Sequence, residues 1–583
     1  MVFEVFPAFD FDGPQDAYIP LWDEQLPVEE EDEAAIKGHQ THYGETDDYP
    51  DFDSFTSDLG SFYAEKSVDH LRPLSELLVP DSQQIDVATK ASFQELLAGL
   101  EYNQNTQFSV PALESKENKA NPISRTSLEI LNSFRTGNRM PTTAQESAPR
   151  RAAAGGKRRS STVEILRTAG ARYIQQVEKT EDDLSALIRF PFNSLFSGHA
   201  TDETRGIHLA YVLLSSAEKI HNRQFDRASR LLEQCEALAS HTGDAVQRVV
   251  SYFAIALRER INGETGRTAT KGSGGRCCRN EMEEGLLNPS SALLACHQQL
   301  PFSRVMQFTS IQAIIDSVAS ASRVHLVDLN INIGLQSSIL MHALAERKAA
   351  RPVQLLKITA VGTSAERIAE TGKRLAAFAQ TLSLPFRFKA VVVAHMHDLQ
   401  AGMVEVEADE AVAVHAPIVL STMIVQAECL ENVMRVVRAL KPCVMSVVEV
   451  EANHNSSSFV NRFTEALFFF SAWFDCVDAC MEREDCDRLT IEGSYLFTGI
   501  RSIVAAEGGE RVVRHVKLEV WRAYFRRFGF VEAELSELSL YQAKLLVKQS
   551  GCGNRFMFEK DGKGLVIGWK GTPLQCVSAW KLR

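Results

Sequence analysis

Apolar positions along this 583-residue chain follow two periods. From Gly206, Leu209, Val212, Leu213, Ala217 and Ile220 recur at helical spacing, as do Ala228, Leu231, Leu232, Cys235 and Leu238. Such stripes predict amphipathic helices. A third helix runs from Val249-Val250 through Leu257, followed by a Gly-, Thr- and Arg-rich segment, Asn262 to Asn280, that reads as an exposed insertion. After Pro301, short apolar runs alternate with helical stretches. Val324–Leu329, Val353–Val361, Val391–Ala394, Ala411–His415 and Cys443–Val450 read as strands, with helices at Leu335–Arg347 and Glu366–Leu382. Continuous apolar strands separated by helices mean a mainly parallel sheet covered on both faces. Arg555–Glu559 and Leu565–Trp569 flank Asp561-Gly562, a hairpin signal. The expected fold is α/β and Rossmann-like, of the methyltransferase type, with an N-terminal helical cap.

The first 200 residues lack this order, and charge explains part of it. Residues 1–60 hold seventeen Asp and Glu against the single Lys37, so this segment carries −16 of a total of −13 and the rest of the chain +3. Phe3, Phe6, Phe9, Phe11, Trp22, Tyr49, Phe52 and Phe55 are scattered among the acids. Charge repulsion with sparse apolar residues predicts a long disordered arm, and acidic-aromatic mixing is the composition of activation segments. A solvating tail would have the same composition. Leu71–Leu78 and Ala91–Tyr102 carry short periodicities, with Phe93, Leu96, Leu97 and Leu100 on one helical face. Arg150-Arg151 and Lys157-Arg158-Arg159 form two basic clusters across a flexible spacer, the pattern of a bipartite nuclear-import signal. A solvated basic linker is the alternative. Ser160 and Ser161, just after the cations, are candidate phosphorylation positions.

Eleven cysteines, an odd number, show no paired spacing for zinc or a disulfide framework, which favours a reducing compartment. Cys476 and Cys480 could share a helix face. No apolar run is long enough to span a bilayer.

Three polar groupings are candidates for chemistry. His325 and Asp328 lie on the first strand, where methyltransferases place an Asp-x-Gly-x-Gly-x-Gly loop that brings backbone close to the cofactor. Here Asp328 is followed by Leu329, Asn330, Ile331, Asn332 and Ile333 before Gly334, and no acid ends the second strand at Thr359–Thr363. Bulky side chains fill the approach, so no cofactor is expected and these two residues read as structural. Glu449, Glu451, Asn453, His454 and Asn455 cluster after a strand. A catalytic reading makes a glutamate the base and His454 the acid; a structural polar network is the preferred one. Arg522, Arg526 and Arg527, interleaved with Trp521, Tyr524 and Phe525, could neutralise DNA phosphates or form a solvated face. Phe459, Phe463, Leu467, Phe470 and Phe474 form one helical stripe that reads as core.

Ordered motifs then resemble one family. VHLVDLNINIGLQ, opening with Val324, His325, Leu326, Val327 and Asp328, is similar to the VHIID signature of plant GRAS proteins. PFSRVMQFTSIQAI (Pro301–Ile314) precedes it, and LMHALAER (Leu340–Arg347) follows. LLSSAEKI (Leu213–Ile220) and YFAIALRER (Tyr252–Arg260) resemble the first leucine-rich region, and FVNRFTEALFFFSAWFD (Phe459–Asp475) the PFYRE region. Trp521 and Gly529 keep the family's Trp-x₇-Gly spacing, Trp569 stands in the Leu-x-Trp position, and Ser578, Ala579 and Trp580 form the SAW triplet.

The resemblance, DELLA-like and SCARECROW-like, implies a GRAS domain over 205–583 after a regulatory arm over 1–200. Its regions are a first leucine-rich region (205–262), a variable loop (263–292), the VHIID region (297–347), a second leucine-rich region (351–440), the PFYRE region (441–516) and the SAW region (517–583). It implies a non-enzymatic nuclear co-regulator that scaffolds other GRAS proteins and DNA-bound transcription factors, as homo- or heterodimer, with indirect DNA contact and no membrane. The leucine-rich stretches are expected to meet those partners. Direct DNA binding and a methyltransferase-like enzyme are the alternatives. A DELLA motif is not apparent, since His42-Tyr43 is too little to carry it. Ser337 replaces a frequent tryptophan, Phe469 and Phe470 frequent tyrosines, and Val513 and Val516 frequent glutamates.

Overall fold

The computed structural model describes residues 160–177, 201–266, 294, 296–349, 352–482 and 485–583. The acidic segment, the short periodicities near 71–102, the basic clusters at 150–159 and most of the 262–280 insertion lie outside them.

Helix α1 (Thr162–Val177) falls in the segment assigned to the arm. Its start is a reciprocal cap. The Glu164 N–H donates to Ser161 Oγ at 3.3 Å, and the Ser161 N–H to Glu164 Oε2 at 2.7 Å. Ser161 is buried in this role, whereas Ser160 is only half-buried. Helices α2 (Thr201–His221), α3 (Phe225–Leu238) and α4 (Ala245–Thr265) complete an N-terminal helical layer. Their stripes are those read from the sequence, but they turn inward. Leu209, Leu213, Ala217, Leu231, Leu232 and Leu257 are all buried in this chain's own core. Apart from Leu238, which is 36% exposed at the end of α3, the apolar face of the first leucine-rich stretch is thus internal.

The α/β layer runs α5 (Pro301–Ser317), β1 (Arg323–Asp328), α6 (Leu335–Ala345), β2 (Leu355–Gly362), α7 (Ala365–Thr381) and β3 (Phe386–Val392). Then follow β4 (Ala411–Pro417), α8 (Ala427–Ala439), β5 (Val444–Val450) and the long α9 (Phe459–Cys480). A short α10 (Cys486–Thr490) passes through a π-helical turn, Ile491–Leu496, into α11 (Phe497–Val504). The chain continues with α12 (Leu518–Arg527), β6 (Phe530–Ala533), α13 (Glu537–Gln549), β7 (Phe556–Asp561), β8 (Gly564–Trp569) and β9 (Thr572–Leu582). Strand β3 starts five residues before the segment read as Val391–Ala394. Its FRFKAVV sequence alternates charge and apolarity because it is an edge strand, where Arg387 and Lys389 pair with Glu407 and Glu405.

The sheet order is β3-β2-β1-β4-β5-β9-β8-β7, with β6 on β9. The first five strands are parallel and the C-terminal ones antiparallel. Alternate residues feed two cores. Val324, Leu326, Ile358, Ala413 and Val448 face α5 and the helical layer. Val327, Val361, Val414, Met445 and Val447 face α8 and α12. Helix α9 is buried nearly all round, so the phenylalanine stripe is core.

Candidate functional site at the carboxyl edge of the sheet

Open α/β sheets take ligands where strand order reverses, outside the carboxyl ends of the strands. In this order that point lies between β1 and β4. Here it is stitched shut. Leu329 N–H donates to His415 O at 3.0 Å, and Asn330 Nδ2 donates to Pro417 O at 3.0 Å. Asp328 Oδ1 accepts the Asn330 N–H at 2.9 Å, turning the chain back over the strand end. Leu329 and Ile331 are buried and Ile333 half-buried. Thr371 of α7 donates from Oγ1 to Asn332 O at 2.8 Å, closing the loop from above. Gly334 then turns left-handed (φ 77°), and a Cβ there would sit 2.9 Å from Thr371 Cγ2.

Beneath this loop, Asp328 Oδ2 lies 3.3 Å from His415 Nδ1, and His415 Nε2 lies 3.5 Å from Ser310 Oγ on α5. The order Ser–His–Asp is that of a nucleophilic relay. The protons go elsewhere: Ser310 Oγ donates to Gln307 O at 2.9 Å, and Ser446 Oγ donates to Ser310 O at 3.0 Å. All four side chains are sealed from solvent. The row therefore clamps α5 across β1, β4 and β5. On the opposite face, His325 Nδ1 meets Glu410 Oε2 at 2.9 Å and its Nε2 meets Thr359 Oγ1 at 2.8 Å, with Lys357 Nζ 3.3 Å from Glu410. Burial pushes the His325 imidazole down to about 4, more than Glu410 draws it up. Both VHIID polar residues thus sit in closed networks.

The cluster after β5 disperses. Glu449 Oε1 accepts the N–H groups of Leu420 (2.8 Å) and Ser421 (3.2 Å), while Glu451 accepts the Leu518 N–H at 2.9 Å. Burial raises both carboxyls to about 7, against those hydrogen bonds. His454 instead stands under Phe469 and Phe470 with its Nδ1 2.9 Å from His515 Nδ1. Burial lowers both imidazoles, His515 to about 4. Asn455 Oδ1 accepts from Arg514 Nη1 at 3.4 Å. The five do not converge on one point where a substrate atom could meet an acid and a base.

The SAW-region residues are also interior. Trp521 stacks on Phe525, which meets Trp580 edge-on. Trp580 Nε1 donates to Ser578 Oγ at 2.9 Å, and Ala579 pairs with Ser446 on β5. Gly529 takes a left-handed turn (φ 81°) straight after α12. Trp569 Nε1 donates to Asp475 Oδ2 at 2.6 Å, Lys570 Nζ reaches the same oxygen at 2.6 Å, and the Thr162 N–H donates to Oδ1 at 3.1 Å. Asp475 so joins α9, α1 and the β8–β9 turn. Sequence reasoning missed it. The signal was there, since Arg462, Glu465 and Asp475 are ionisable residues inside the largely apolar Phe459–Asp475 run. The basic-aromatic helix separates too. Its aromatics are core and Arg522 is held by Glu532 and Asp561, leaving Arg526 exposed and Arg527 half-buried. No helix among the described residues is long and apolar enough to cross a membrane.

Strand order, flanking helices and a filled switch point define a doubly wound, methyltransferase-type Rossmann domain whose ligand edge is closed. Comparison with known proteins gives its kinship. The chain belongs to the GRAS domain family, whose description matches residues 209–581, and it is thereby a relative of the plant GRAS-type transcriptional regulators. It is 32% identical over 400 residues to DELLA protein 1 of Medicago truncatula, and 32% over 401 residues to DELLA protein DWARF8 of Zea mays. These matches span 66% and 65% of this chain but only 64% and 61% of those proteins. The crystal structure of SCL7 in Oryza sativa aligns with a TM-score of 0.53 at 27% identity, over 64% of this chain and 99% of that one.

Proposed function

We propose that this protein is a nuclear GRAS-type transcriptional regulator that acts as a protein scaffold and reaches DNA through DNA-bound transcription factors, with other GRAS chains among its partners. The observation carrying this reading is the closed switch point. The place where this fold takes small molecules is filled by Leu329 and Ile331 and bridged by Asn330. That leaves the outer surfaces as the means of action. Engagement of Arg522 by two carboxylates supports indirect DNA contact. Because the stripes of α2 and α3 are internal apart from Leu238, partners meet surfaces other than the apolar face of the first leucine-rich region. Import rests on Arg150, Arg151, Lys157, Arg158 and Arg159.

The test has two arms. A fluorescent full-length fusion should accumulate in plant nuclei and shift to the cytoplasm when Lys157, Arg158 and Arg159 are replaced together by Ala. The same fusion should co-purify transcription factors from nuclei and occupy promoters only while those factors are present. Salt-dependent binding of the purified protein alone to a defined DNA would overturn the scaffold reading in favour of direct recognition.

A further inference from the structure

We propose that Cys480 and Cys552 form a peroxide-oxidisable dithiol site, whose oxidised form is a disulfide joining the end of α9 to the turn after α13. The two Sγ atoms lie 3.0 Å apart. Cys480 is the last residue of α9, and Cys476 sits one turn earlier, fully interior. Cys552 is held in place by its turn. Ser550 donates from both N–H and Oγ to Val547 O, Gly553 N–H donates to Ser550 O, and Arg555 N–H to Cys552 O. Gly553 packs so closely on α13 that a Cβ would meet Val547 O at 2.1 Å. Neither thiol has to travel far for a bond to form.

Access exists on one side. Cys480 is half-buried, and Gly551, Asn554 and Arg555 are exposed. A cleft of about 470 Å³ between α13 and β7 is walled by Ser550, Gly551, Gly553 and Asn554, the residues on either side of Cys552. Hydrogen bonding from Cys476, with burial, holds the Cys480 thiol above its ordinary value, and the Cys480 contact with burial does the same for Cys552. The resting pair is therefore protonated and slow to react, which suits a response to sustained peroxide.

The chemistry balances. The sulfur of Cys480, the more accessible thiol, attacks one peroxide oxygen, the O–O bond breaks, and a sulfenic acid and water result. Cys552 sulfur then attacks the Cys480 sulfur. The S–S bond forms, the S–O bond breaks, and hydroxide leaves as water with the Cys552 proton. Two thiols lose two electrons, and one peroxide becomes two waters. A dithiol reductant reverses the reaction.

The experiment treats the reduced full-length protein with hydrogen peroxide, blocks remaining thiols with N-ethylmaleimide, and maps tryptic peptides without reduction. A linked pair containing Cys480 and Cys552 should appear, vanish with dithiothreitol, be absent in Cys480→Ser and Cys552→Ser, and persist in Cys486→Ser, which removes an exposed thiol. Thermal melts of the serine variants should match that of the reduced protein, and oxidation should raise Tm in the wild type alone. If either variant fails to fold, the wild-type peptide map and its reversal decide by themselves. Separately blocked Cys480 and Cys552 peptides after peroxide, or Cys480 linked to Cys476 instead, would overturn the proposal.

Discussion

Asp475 shows how one carboxylate can hold three distant segments. Burial acts to raise it, but hydrogen bonds from Lys570 and Trp569, the Lys570 charge and the Thr162 N–H outweigh burial and hold it below the usual value. A folded-state value below the unfolded one gives stability that is present above about pH 4 and lost as pH falls through the folded value. Asp475→Asn should therefore lower stability at neutral pH by on the order of 1–3 kcal/mol and flatten the acid limb of a melt-versus-pH series; an unchanged acid limb would remove the linkage. Glu449 has the opposite sign. Its carboxyl is raised to about 7, so the folded state keeps a proton that the unfolded chain loses near pH 4, and its contribution falls away as pH rises through 7. Glu449→Gln cannot titrate and still offers an oxygen to Leu420 and Ser421. It should match the wild type at pH 5 and exceed it at pH 8.5 by on the order of 2 kcal/mol, read by urea unfolding at both pH values. Asp328 and His325 stood out in the sequence as polar residues in an apolar strand. Glu410 and Lys357, which complete the His325 network, did not, because charged residues beside loops look solvated until the tertiary fold buries them.

At the scale of elements, period carried most of the information. Helical stripes at α2, α3, α6 and α7 and the runs of β1, β2, β4 and β5 lie close to where the alternation put them. Two kinds of element escaped. Strand β3 is an edge, so its pattern mixes charge with apolarity. The π-helical turn between α10 and α11 has no periodic signature, yet it places Glu492 in the interior between two arginines. Arg248 Nε lies 3.1 Å away and Arg488 Nη1 3.5 Å, and all three side chains are buried. Which way a stripe points is likewise a tertiary property, and the inward turn of α2 and α3 could not be read from spacing. Glu492→Ala should destabilise by about 3 kcal/mol, since it removes the interior carboxylate that Arg248 and Arg488 share, Arg248 keeping only its half-exposed partner Asp478 as a counter-charge. Chemical unfolding measures this, and a loss below 1 kcal/mol would mean that the turn relaxes to let water in.

For the molecule as a whole, the closed switch point makes a sharp expectation. Calorimetry with S-adenosylmethionine should detect no saturable heat with the full-length protein. Asp328→Ala should lower Tm, because the Asn330 N–H and His415 lose their shared acceptor, at about 1–3 kcal/mol. Micromolar cofactor binding that disappears in a well-folded Asp328→Ala protein would reverse the scaffold reading. The fold class and the filling of the loop were legible because steric bulk at Leu329 and Ile331 is a property of composition. The Ser310–His415 clamp was not, since it joins residues that only the folded sheet brings together. One feature of that sheet governs how the protein can be made. Strand β9 lies between β5 and β8, yet every element from α9 to β8 is synthesised between β5 and its neighbour. Until Thr572–Leu582 leaves the ribosome, the VMSVVEV edge of β5, apolar but for Ser446 and Glu449, stays unpaired, a template for aggregation. A message interrupted late in the reading frame therefore yields not a weakened regulator but a chain destined for chaperones and proteases, and alleles of that kind should behave as recessive nulls.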